Sequence, residues 1–198
     1  MLTPNTLRTA VQSRVLAAVD KTVRFAKDVG GMAAIEAGFV FPVMVVLYVG
    51  LVDITNLVTV NRRVTITTST VADLTTQIDS TTTKAELDGI YDAAKAIFEP
   101  LPVSNISLSL YNFRLVGNTP TLQWKYNNGH TCGATPSGSS TMKNLMSDGN
   151  DIVVARVCYD QQPLVGSFLG TSAIQLKDEI MLRPRQSNTL TCTNCPTS

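Results

Sequence analysis

One histidine, His130, stands in 198 residues, and basic and acidic side chains nearly cancel to a formal net charge of +1. The scarcity of histidine leaves little for imidazole-based catalysis, and the near-neutral balance gives no global basic field for nucleic acid and no acidic field for a cationic partner. No Walker loop, dinucleotide fingerprint, serine-nucleophile elbow or paired-carboxylate signature accompanies His130, which stands in a Gly-rich stretch and reads as a solvated loop residue. No residue is therefore assigned to catalysis, and no cofactor, metal or small-molecule substrate is expected. The length fits one folded domain plus an appendage.

The few charges are unevenly placed. Residues 1–31 carry Arg8, Arg14, Lys21, Arg24 and Lys27 against Asp20 and Asp28, whereas the rest of the chain is slightly acidic. Residues 37–52 then run without a formal charge, about 24 Å of helix at 1.5 Å per residue, and residues 33–35 extend the apolar run past Glu36. This predicts a transmembrane helix over 32–55, since snorkelling flanks and local thinning accommodate a span slightly short of roughly 30 Å. A buried core helix is the competing reading. The basic flank places residues 1–31 in the cytoplasm and everything after Asp53 outside. A conventional cleaved signal fits poorly: the segment before the run is long, the run contains Glu36 and Pro42, and "GLVDITN" offers no small-x-small cleavage site.

The stretch "GGMAAIEAGFVFPV" combines a glycine, a short run of small apolar residues, Ile-Glu, and an apolar helix containing a proline. It resembles the N-terminus of TadE-like proteins, the pseudopilins or minor pilins of the Tad (tight-adherence, Flp-type) pilus. The resemblance implies that a prepilin peptidase cuts after Gly31 on the cytoplasmic face, making Met32 the new N-terminus and Glu36 the fifth mature residue. Ala37 stands where the family usually has an aromatic. A second stretch, "VCYDQQPLVGSFLG…IMLRPR", is similar to the family's C-terminal half, so that the resemblance spans roughly 24–78 and 151–185. It implies a chain held in the bacterial inner membrane, with a periplasmic domain and with the prepilin peptidase, the major pilin and other minor pilins as partners.

The residues supply their own argument for Glu36. An ionised side chain at mid-bilayer costs roughly 2.5–3.5 kcal/mol on insertion scales, so one that persists has a partner or lies near an interface. Met32, once cut free, would carry a cationic amine able to pair with Glu36 of a neighbouring subunit, and the penalty on an unpaired charge would fix the axial register. A glutamate snorkelling to the headgroups without a partner is the plainer alternative. Pro42 removes a helical donor and is expected to kink or loosen the span.

Beyond the membrane, Leu57, Val60, Val64, Thr67, Val71, Leu74 and Ile78 alternate in steps of three and four, predicting that the helix continues to about Gln77 with this face on the following domain. The threonines of "VTITTSTVADLTTQ" leave a strand possible there. Arg62 and Arg63 read as a solvated face. Thr83 and Glu86 have capping-box spacing, and Leu87, Ile90, Tyr91, Ala94, Ile97 and Phe98 share one face of a second helix over 84–98. The period then changes to two. Strands are expected through Ile106, Leu108 and Leu110, and through Leu122, Trp124 and Tyr126, with a turn at 117–120. Two more are expected in "DIVVARVCYD" and "AIQLKDEIMLRPR", joined by the apolar connector "QQPLVGSFLGTS". The fold class is α+β: a membrane helix continuing outward, an amphipathic helix, and a roughly four-stranded antiparallel sheet. Residues 56–185 form the extracytoplasmic domain, 127–150 a long surface loop, and 186–198 a cysteine-containing tail.

Cys132, Cys158, Cys192 and Cys195 all fall on the expected outer side, where an even number favours two disulfides. Three pairings are possible; Cys132–Cys158 and Cys192–Cys195 are preferred because one would tie the long loop to a strand and the other close the tail. A four-cysteine zinc site lacks a second close pair. A redox role for "CTNC" lacks the helix start that would stabilise a thiolate. Two functional readings follow: a pseudopilin matured at Gly31, and an uncleaved single-pass membrane protein whose outer domain binds a ligand or envelope partner.

Overall fold

A computed structural model describes residues 30–136, 140–164, 170 and 173–196; most of the basic leader lies outside these residues. The chain separates into residues 1–50 and residues 51–198. Helix α1 (Gly30–Gln77) runs through Pro42 and through the threonine-rich stretch. Threonine is a poor helix former because its branched Cβ crowds the preceding turn. Here the hydroxyls bond back along the helix, Thr68 to the Val64 carbonyl and Thr75 to the Val71 carbonyl, both at 2.8 Å, which lets these side chains sit buried without stranding a donor.

The buried stripe of α1 starts as expected, at Val60, Val64, Thr67 and Val71, and then departs from the strict three-four alternation. Leu74 is exposed, and Thr68, Ala72, Thr75 and Thr76 take up the packing. A straight helix turns every 3.6 residues, so a seam spaced at 3.5 drifts by about 20° per heptad and leaves the core.

Strand β1 (Thr81–Thr83) leads into helix α2 (Lys84–Phe98). The Thr83 hydroxyl accepts from the Glu86 N–H while the Glu86 carboxylate accepts from the Thr83 N–H, a reciprocal capping box. Leu87, Ala94 and Phe98 are its buried face. Arg63 is not simply solvated: its Nη1 donates to the carbonyls of Phe98 (3.2 Å) and Glu99 (2.9 Å) at the C-terminus of α2, where orphan acceptors and the helix dipole favour a cation.

After a short 3₁₀ turn (Val103–Asn105) come β2 (Ile106–Val116), β3 (Thr119–Asn128), helix α3 (Ser140–Leu145), β4 (Asp151–Gln161) and β5 (Ile174–Leu182). The sheet order is β3-β2-β4-β5, with every neighbour antiparallel. The β2–β3 turn is tighter than the 117–120 expectation. Gly117 (φ 56°) and Asn118 (φ 72°) both take left-handed conformations, which matches a two-residue type I′ hairpin.

One face of the sheet, with Ile106, Leu108, Leu110, Trp124, Tyr126, Val153, Ala155, Val157 and Tyr159, packs on the buried residues of α1 and α2. Leu122 does not join Trp124 there. The β2–β3 register shifts between Asn112 and Phe113, so Gln123 is an extra residue and Leu122 falls on the opposite face beside Phe113. That second face carries its own cluster of Tyr111, Phe113, Leu115, Ile152 and Val154, covered by Met142 and Met146. Residues 127–150 are thus partly a lid over the sheet rather than only a surface loop: Met142 is fully buried and Cys132 nearly so.

Residues 186–196 are built into the same folded unit. β6 (Thr191–Thr193) pairs in parallel with β1, and the Lys125 N–H donates to the Pro196 carbonyl at 2.9 Å, beside the edge strand β3.

Candidate functional site

The chemistry-bearing residues singled out in the sequence fall in separate places. Gly31, Met32, Glu36 and Pro42 lie on α1, within the segment whose apolar side chains are exposed. Phe39 is 77 % and Tyr48 70 % exposed, and the apolar window of this helix has a mean hydropathy of 2.2 with none of it buried. Burying a large apolar side chain is worth about 1.5–3 kcal/mol, so a surface of this kind in water would oppose solubility. By length and composition the helix can cross a membrane. Glu36 is exposed, and among the described residues it has no hydrogen-bond or ion-pair partner. Pro42 cannot donate to the Gly38 carbonyl one turn earlier, and a Cβ added at Gly38 or Gly50 would meet no atom within 4 Å.

The four cysteines form two disulfides. Cys132 joins Cys158 with Cα atoms 5.8 Å apart, fixing the loop after β3 to the middle of the sheet, and Cys192 joins Cys195 at 5.6 Å, closing the turn after β6. No free thiol is left among them for the zinc alternative.

Arg156, which sequence reading passed over, fastens the same loop. Projecting from β4 on the second face and 6 % exposed, it donates from Nη1 to the carbonyls of Cys132 (3.0 Å) and Ala134 (2.6 Å) and from Nε to Glu179 of β5 (2.7 Å). Beside it, Ser109, Tyr111, Asn127, Gly129 and His130 line a small polar cleft. His130 Nε2 lies 3.1 Å from Asp160 Oδ2, within ion-pair distance but not aligned as a hydrogen bond. Among the described residues no hydroxyl is held against this imidazole in the way nucleophilic catalysis requires.

A buried carboxylate with four hydrogen bonds is also a feature the sequence did not flag. Asp151, at the start of β4, has a side chain with no exposure. Its carboxylate accepts from Arg114 Nε (2.6 Å) and Nη2 (2.9 Å), from Asn112 Nδ2 (2.8 Å) and from the Leu190 N–H (2.7 Å). Asn112 and Trp124 Nε1 both donate to the Leu190 carbonyl at 2.8 Å. The carboxylate holds the Arg114 guanidinium still more firmly protonated than usual, chiefly through the hydrogen bond. This arrangement latches the C-terminal segment to the sheet. A buried, bidentate ion pair of this kind had no local signature, because Asp151 follows an ordinary turn sequence and its partners are 37 to 39 residues away.

On the helix-packed face, the Tyr126 hydroxyl donates to Asp88 Oδ1 at 2.6 Å, and burial pushes it well above its ordinary range, with the Asp88 bond acting in the same direction. Burial likewise raises Tyr159. Both tyrosines belong to the core packed against the helices, and neither lines the polar cleft.

Comparison with protein-family models, with characterised proteins and with solved structures found no match to this chain.

Proposed function

We propose that the chain is a membrane-anchored pseudopilin, a minor pilin that takes part in assembling or initiating a Tad/Flp-type pilus, and that prepilin peptidase matures it after Gly31. The observation that carries this reading is the setting of Glu36: a lone carboxylate on an exposed apolar helix, five residues past the glycine at which a new amine would be created. In apolar surroundings such a charge has to be matched, and the Met32 amine of a neighbouring subunit is the match this spacing provides. Helix packing between subunits would also cover the apolar surface and could bring a donor to the Gly38 carbonyl that Pro42 leaves free. The domain then faces an oxidising compartment, which the two disulfides favour. Pilin partners and the inner membrane belong to this proposal, as does a scaffolding rather than an enzymatic role.

The test is mass spectrometry of the protein purified from cells with and without the prepilin peptidase. The expected result is a mature N-terminus at Met32 that depends on the peptidase. An intact N-terminus in both strains would reject processing and return the chain to the uncleaved single-pass reading, in which the outer domain binds a ligand or envelope partner.

A further inference from the structure

Asp53 is the first charge after the uncharged run 37–52, and it lies at the point where α1 would leave a bilayer. Its Oδ1 accepts a hydrogen bond from the backbone N–H of Leu164 at 2.8 Å, across 111 residues of sequence. Leu164 belongs to the connector between β4 and β5, whose sequence "PLVGSFLG" is apolar although it joins two strands at the edge half of the sheet. Connectors on a water-facing surface are ordinarily polar. Here Leu164 is 51 % exposed, and on the same stretch of helix Leu51 and Ile54 are 64 % and 61 % exposed.

The height of this contact follows from helix geometry. Val60 is the first fully packed residue of α1 in the domain core and lies seven residues beyond Asp53, about 10 Å at 1.5 Å per residue. The headgroup region on each side of the hydrocarbon is roughly 5–8 Å thick. Leu164 is therefore held by the Asp53 carboxylate beside the point of α1 at which the uncharged run ends.

We infer that Pro163 and Leu164 form a membrane-contact site, docked on the phospholipid interface beside the span and tethered to α1 by Asp53. The inference rests on the membrane-anchor reading above. The occupant is a lipid surface because Asp53, to which Leu164 is bonded, directly follows the apolar run that reading places in the bilayer, with Leu51 and Ile54 exposed beside it. Asp53 at this level keeps a backbone N–H donor as its partner, which removes the cost of a bare carboxylate at the boundary. The contact would fix the tilt of the domain on its anchor by a second, lipid-facing foothold.

The full chain reconstituted in phosphatidylcholine vesicles tests this with tryptophan emission quenched by lipid brominated near the headgroup end of the acyl chain. Trp124, buried in the core, supplies the background. Leu164→Trp is expected to add blue-shifted emission that the brominated lipid quenches, since a side chain seated at the headgroup/acyl boundary lies within reach of the bromines. Val46→Trp, inside the apolar run, reports the span itself. Quenching at 46 with water-like, unquenched emission at 164 overturns the contact site while the anchor stands; no quenching at either position overturns the anchor reading and the inference with it. Adding Asp53→Ala to Leu164→Trp is expected to abolish the interfacial quenching, and retained quenching overturns the tether.

Discussion

Replacing Asp151 by alanine should release the C-terminal segment and cost much of the domain's stability. The carboxylate is fully buried and takes four hydrogen bonds, two of them from one guanidinium. Removing it leaves the Leu190 N–H with no acceptor in the core, and a buried unsatisfied donor costs about 1–3 kcal/mol. Asn112 keeps its bond to the Leu190 carbonyl, so its loss is smaller. Arg114 has a side chain 27 % exposed and can recover some hydration, which holds its penalty to the lower part of the range for a broken buried pair. Together these give a loss of about 3–5 kcal/mol, set against a typical total of 5–15 kcal/mol. Asp151→Asn preserves the shape and one acceptor and should lose less.

The assay is urea unfolding of the full chain in detergent micelles, followed through the one tryptophan. Trp124 donates to the Leu190 carbonyl, so its emission reports whether the segment is docked. In Asp151→Ala the emission should move to the red before the global transition, and the midpoint should fall. A loss no larger than the roughly 0–1 kcal/mol of an exposed ion pair, with Trp124 emission unchanged, would refute the argument that this centre is a latch.

The two disulfides should differ in worth. The Cys132–Cys158 bridge closes a 26-residue separation and should contribute about 3.5 kcal/mol on the loop-entropy estimate, against about 2 kcal/mol for Cys192–Cys195, so paired serine variants should rank in that order in urea midpoints. Equal losses would contradict the loop-tying role of the first bridge. For Tyr126 the sign is set by a folded-state phenol held above its unfolded value: the neutral form is favoured by folding, so stability is full below about pH 10 and falls as pH rises above it. Tyr126→Phe should flatten that alkaline loss in a series of urea melts across pH, and an unchanged slope would assign the loss to other groups.

The sequence by itself determined the features that depend on near neighbours along the chain. Residues 37–52 carry no charge, so this part of α1 is apolar all round whatever it packs against; Thr83 and Glu86 are three apart, so the capping box closes within one turn; Gly117 and Asn118 tolerate positive φ, so the hairpin forms there. Spacing also carries the Gly31, Met32 and Glu36 proposal, which no fold could reveal because it concerns a cut and a neighbouring subunit.

Tertiary structure decided what depends on residues far apart in sequence. The extra residue at Gln123 sends Leu122 to the second face, and a period-two reading has no way to register one inserted residue. Met142 and Met146 become a cover over the sheet because they meet strand residues of β2 and β4, and part of the tail becomes a strand because β1 lies 110 residues back to receive it. Asp151 reads as an ordinary turn residue until Arg114, Asn112 and Leu190 are folded around it. A buried carboxylate is stable only where all of its donors arrive together, and that condition is met by the assembled domain, not by any short stretch of the chain.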